Sequence, residues 1–143
     1  MVFVRDEGSV YNAPLEDVWR FLSSEAAHAE AHHHRNAQDT SLSGNSGESS
    51  WEQDFEGKPE QFAMRWTAFP PFGIAYEVVE GPFAGSKFFA YYRPRGPKTR
   101  VTIVGDFLSP TIPVTRLETS VLGFFAVEFE QDSAAIAAML AGK

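Results

Sequence analysis

Polar and apolar residues alternate along most of this chain, and the period of the alternation changes as the chain proceeds. Val2 to Tyr11 reads as a first strand, closed by Asn12-Ala13-Pro14. Pro14 then opens a helix whose apolar positions Leu15, Val18, Trp19 and Leu22 follow helical spacing, with Glu16 and Asp17 favourably placed at the positive end of its dipole. A second helical piece, rich in Ala and Glu, is predicted from Ser23 to about His34. Between Asp39 and Ser50 the Ser, Gly and Asn content rises, which reads as a weak strand or a mobile connection.

From Trp51 onward the period is two. Trp51, Gln53 and Phe55 alternate with Glu52, Asp54 and Glu56; Phe62, Met64 and Trp66 alternate with Ala63, Arg65 and Thr67. Similar runs span Ile74 to Glu80, Ser86 to Arg93 and Arg100 to Phe107. Gly57-Lys58-Pro59, Pro70-Pro71-Phe72-Gly73, Gly81-Pro82 and Pro94-Arg95-Gly96-Pro97 supply turns between them. After Ser109-Pro110 the pattern becomes helical and continues to Leu140. These elements predict one α+β domain over residues 1–143. A curved antiparallel sheet of six or seven strands would wrap a long C-terminal helix and leave a cavity between them. Phe62, Met64, Trp66, Phe88 and Phe129 are expected to line it.

Composition narrows the possibilities. With 143 residues, 43% hydrophobic and 22% charged, the chain is long enough for a packed core and ordinary for a globular domain. Aromatic residues reach 14%, more ring surface than a small core needs, which suits an apolar or aromatic ligand. The net charge of -7 repels phosphate backbones, and the cations Arg93, Arg95, Lys98 and Arg100 read as a solvated hairpin end, so no nucleic-acid partner is expected. Without cysteine the chain cannot hold a disulfide, a thiol nucleophile or an iron–sulfur cluster. No stretch reaches the roughly 18 apolar residues of a membrane span, and the opening residues do not read as a signal peptide, so a cytoplasmic protein is expected.

Two features suggest chemistry. Placed 100° apart, Val121, Leu122, Phe125, Phe129, Ile136, Met139 and Leu140 form the stripe of the last helix that should face the sheet, and Asp132 falls inside it. A carboxylate aimed into an apolar cavity needs a cation, a metal or several donors. The four histidines lie close together, at positions 28, 32, 33 and 34. On a straight helix Glu25, His28 and His32 share one face, a spacing that lets two imidazoles chelate one ion while a carboxylate orients them. His28 and His33 converge only where the helix ends or loosens, and Arg35-Asn36 makes such an ending reasonable. In the sheet, Tyr76 and Glu80 share a face and could serve acid–base work.

The opening Val10-Tyr11-Asn12-Ala13-Pro14-Leu15-Glu16-Asp17-Val18-Trp19-Arg20-Phe21-Leu22 resembles the first strand and helix of the START and SRPBCC superfamily, whose helix-grip fold encloses a hydrophobic ligand pocket. A narrower resemblance joins it. Glu25-x-x-His28-x-x-x-x-His33, with Glu130-Gln131-Asp132-Ser133 near the C-terminus, looks like the catalytic domain of Rieske-type aromatic-ring oxygenases. That resemblance implies His28, His33 and Asp132 as ligands of Fe(II), or alternatively zinc, with His32 as the alternative to His33 and Glu25 in the bridging acid's place. The Rieske domain itself is missing, so oxygenase-like chemistry would take electrons from a partner protein. The superfamily resemblance also implies two alternatives: a metal-free carrier or sensor of hydrophobic ligands, and an enzyme similar to polyketide cyclases and dehydratases.

Overall fold

The computed structural model describes residues 1–142 and contains seven strands and three helices. Strand β1 (Val2–Tyr11) leads into helices α1 (Leu15–Leu22) and α2 (Glu25–Ala31). Six strands follow: β2 (Arg35–Ser43), β3 (Ser46–Phe55), β4 (Lys58–Phe69), β5 (Gly73–Glu80), β6 (Lys87–Arg95) and β7 (Lys98–Phe107). Helix α3 (Val114–Ala141) ends the chain. The sheet is antiparallel throughout in the order β1-β7-β6-β5-β4-β3-β2, so β2 to β7 form a continuous meander and the first strand closes onto the last. This is the helix-grip arrangement.

Local chemistry sets the element ends. Pro14 caps α1, its carbonyl accepting from the amides of Asp17 and Val18, and the helix buries Asp17, Val18 and Phe21. Trp19 Nε1 donates to the Pro71 carbonyl at 2.6 Å, which ties α1 to the β4–β5 loop. Ser109 Oγ accepts from the amides of Thr111 and Ile112 just before α3. With 28 residues, α3 runs about 42 Å and crosses the whole concave face.

Two apolar clusters hold the helix there. Leu117, Val121 and Phe125 of α3 pack with Val4, Phe83, Phe88 and Phe107 at one end. Ile136 packs with Tyr11, Val18, Phe21, Tyr92 and Val101 at the other. Every four or seven residues α3 returns to the same stripe, and Asp132 lies within it, 8% exposed.

Two expectations from the sequence are corrected. The second helix stops at Ala31 instead of reaching His34, because the chain turns left-handed at His33, with φ 55. The His33 amide bonds the Glu30 carbonyl and the His34 amide bonds the Ala29 carbonyl, the paired closure of a Schellman motif with histidine where glycine is usual. Residues 35–43, read from Asp39 onward as a weak strand or a mobile connection, form a strand that pairs with β3 through two register shifts and carries Asn36 at φ 52. All nine of its residues are exposed, so no face needed an apolar set and no alternation marks it.

Candidate functional site

Between the sheet and α3 lies a hollow of about 450 Å³. Alternate residues of β3 to β7 supply its apolar wall: Trp51, Met64 and Trp66, Ile74 and Tyr76, Phe88, Ala90 and Tyr92, Val101 and Ile103. Phe125 and Phe129 close it from the helix side, and Trp19 and Pro70 stand at one end. Four of the five apolar residues expected from the sequence, Met64, Trp66, Phe88 and Phe129, line this space. Phe62 does not: it is 1% exposed and sits behind the wall, stacked 5.5 Å from Trp51 and 6.0 Å from Phe124. Alternation reports the direction of a side chain but not the layer it ends in.

One patch of this wall is polar. His32, the C-terminal cap of α2, is 5% exposed. Its Nε2 lies 2.7 Å from Asp132 Oδ1, while its Nδ1 lies 3.0 Å from Glu128 Oε2 and 2.7 Å from Gln131 Oε1. The contact to Asp132 is one of charge rather than of an aligned hydrogen bond, since Oδ1 takes no well-directed donor. Tyr11 donates its hydroxyl to the other oxygen, Oδ2, at 3.1 Å. His28, one turn before His32, presents a buried Nε2 with no partner. The donor atoms of His28, His32 and Asp132 all fall within 4.8 Å of one another.

The backbone explains which histidines converge. His28 and His32 lie on one face of α2 across a single turn, their rings 5.4 Å apart. His33, in the left-handed position, is exposed and borders a different space. The structure therefore brings His28, His32 and Asp132 together, and leaves His33 outside the group. Glu25 is exposed and stands where α2 borders the hollow.

Burial and neighbours set the charges. Burial works against a charged His32, yet its contacts with Asp132 and Glu128 prevail and raise its pKa to about 10, so it is an imidazolium at neutral pH. Burial lowers the pKa of His28. Burial, reinforced by the imidazoles of His32 and His28, lowers that of His34 to about 3, and His34 stacks 4.4 Å from Trp51. Desolvation also raises Tyr11, Tyr76 and Tyr92, so all three hydroxyls keep their protons.

Tyr11, His34 and Glu128 were not singled out from the sequence. Glu128 carried a usable signal, four residues before Asp132 and hence on the same side of the helix. Tyr11 and His34 carried none until the sheet was assembled. On the far side of His32 lies a second hollow of about 590 Å³, an outer groove between α3 and the ends of β2 and β3, bordered by His33, Arg35, Asp54, Glu56 and Arg116. His32, Phe124 and Glu128 face both spaces. Arg100 and Thr102 alternate with the lining residues Val101 and Ile103 and turn to the sheet's other face.

No family model matches the sequence, and no curated protein does. Solved structures do match. TTHA0849 from Thermus thermophilus superposes with a TM-score of 0.79 at 17% identity, covering 96% of this chain and 99% of that one. Zhui aromatase/cyclase from Streptomyces sp. R1128 gives 0.74 at 14%, covering 96% and 92%. Ara h 8.0201 gives 0.71 at 10%, covering 96% and 98%. At such identities the likeness is one of fold, and the neighbours are SRPBCC-like helix-grip proteins. They lend no support to the Rieske-type resemblance.

Proposed function

Starting from a helix-grip fold with an aromatic hollow, we propose that this protein binds a small aromatic or otherwise apolar molecule and assists proton transfer at a carbonyl group of that molecule, similar to polyketide cyclases and dehydratases. One observation carries the reading: the hollow's apolar wall is interrupted on the helix side by a cluster of His28, His32, Tyr11 and Asp132. A similarly shaped protein described as an aromatase/cyclase adds support. Four of the apolar lining residues, Met64, Trp66, Phe88 and Phe129, would hold the ligand's body. Phe62 would support them from behind.

The chemistry follows from the charges. His32 as imidazolium and Tyr11 as phenol now point their protons at carboxylates, and either would serve a developing enolate oxygen by turning one donor from Asp132 to the ligand. Neutral His28 and the Asp132 carboxylate are acceptors for the α-proton. In an apolar surround these groups act without competition from water.

Trp19, Trp51 and Trp66 all border the hollow, so ligand entry is readable by intrinsic fluorescence. Titration with β-tetralone, a neutral aromatic ketone, is expected to quench that fluorescence saturably. Wild-type protein is expected to speed deuterium exchange at the ketone's α-carbon, followed by NMR. Paired His28→Ala and Asp132→Asn changes should slow it by about 10²-fold. Saturable quenching without faster exchange would make the protein a carrier or sensor; no quenching at all would remove the hollow as a binding site.

A second reading is a divalent transition metal held by His28, His32 and Asp132. It is favoured by the unpartnered Nε2 of His28 and the 4.8 Å grouping. Two imidazoles and a carboxylate suit Fe(II) or zinc, with Glu128 and Gln131 orienting His32 and Tyr11 orienting Asp132. Such an ion would supply Lewis acidity or, as Fe(II), oxygen activation fed by an electron-transfer partner. Protein purified without a metal column is expected to take up one equivalent of Zn(II) by calorimetry, with affinity falling about 10- to 100-fold in His28→Ala or Asp132→Ala and unchanged in His33→Ala. Equal affinity in all three variants would dismiss the site.

A further inference from the structure

The charge of the hollow is one-sided. Among the described residues that border it are five carboxylates, Asp6, Glu25, Asp39, Glu128 and Asp132, and no Lys or Arg. Four of the arginines pair away from it: Arg5 with Glu7, Arg65 with Glu48, Arg35 with Asp54 and Arg116 with Glu56, all at exposed positions. The lining acids reach from the exposed Glu25 and Asp39 to the deeply buried Asp132.

Two further observations point to an occupant. Asp132 is 8% exposed and borders the hollow, yet its Oδ1 takes no aligned hydrogen bond. His32 is the one cation near it and stands between two acids, so each carboxylate is only partly neutralised. Tyr76 and Tyr92 lie close enough to Asp132 to feel its charge, and Trp66 and Phe88 line the same hollow; aromatic faces attract a cation and do nothing for an anion.

We infer that the natural ligand carries a protonated amine on its apolar body, the ammonium group meeting Asp132 in the hollow. An ammonium ion adds a donor at Oδ1, which now meets only the His32 ring at 2.7 Å, and offsets the excess of negative charge. A carboxylate or phosphate of the same shape would add to that excess and is rejected. The inference rests on the hollow being the binding site and goes further by fixing the sign of the ligand's charge.

The test compares naphthylethylamine, naphthylethanol and naphthylacetate, three probes with one ring system and different charge, by tryptophan fluorescence at neutral pH in chelator-treated protein. The amine is expected to bind about tenfold tighter than the alcohol, and the acetate at least about tenfold weaker than the alcohol. Asp132→Asn should shrink the amine's advantage over the alcohol. Asp39→Asn, at an exposed position, should shrink it by less and serves if the buried variant fails to fold. An amine no tighter than the alcohol, or an acetate as tight as the amine, overturns the inference while leaving the hollow as a binding site. Failure of all three probes to bind overturns both.

Discussion

A single imidazole, that of His32, joins α2 to α3 through Asp132 and Glu128, and its protonation should register in stability. Its pKa in the folded chain is about 10 against an ordinary 6.5. The folded state thus holds a proton that the unfolded chain releases, and the stabilisation is complete below about 6.5 and fades as pH rises toward 10. His34 has the opposite sign. Its folded value of about 3 means that the unfolded chain takes up a proton first, so stability declines as pH falls from 6.5 toward 3. Thermal melts with chelator present should show a flatter alkaline side in His32→Gln. They should also show a flatter acid side in His34→Phe, which keeps a ring against Trp51. Melting curves that parallel the wild type at every pH would show that neither ring is perturbed as described.

At the scale of elements, the end of α2 decides which histidine faces the hollow. His33 adopts φ 55, a conformation costing a residue with a Cβ about 1–2 kcal/mol and glycine almost nothing. His33→Gly is therefore expected to raise stability by up to about 1 kcal/mol in denaturant unfolding, with ligand binding unchanged. A loss of binding in that variant would restore His33 to the site. The sequence could not reveal this ending, because the usual glycine is absent and the run of histidines continues past it. Asp132 was legible for the opposite reason. Helix α3 keeps its period over its whole length, so a polar residue inside the apolar stripe stands out on a helical projection. Strand β2 was half hidden, since a strand exposed on both faces has no reason to alternate.

For the molecule as a whole, the order of elements, the antiparallel sheet and the gripping helix could all be read from changes of period and from turn residues. What stayed out of reach was depth. Phe62 and Trp66 point inward by the same rule, yet one supports the wall and the other forms it. The pairing of Tyr11 with Asp132 spans nearly the entire chain and has no local signature. The barrier between the inner hollow and the outer groove has a plainer consequence. It is only a few side chains thick, and the ring of His32 borders both compartments, held between Asp132 and Glu128. A charge that settles on either side therefore meets the same imidazole, and no stretch of backbone has to move for it to be felt there.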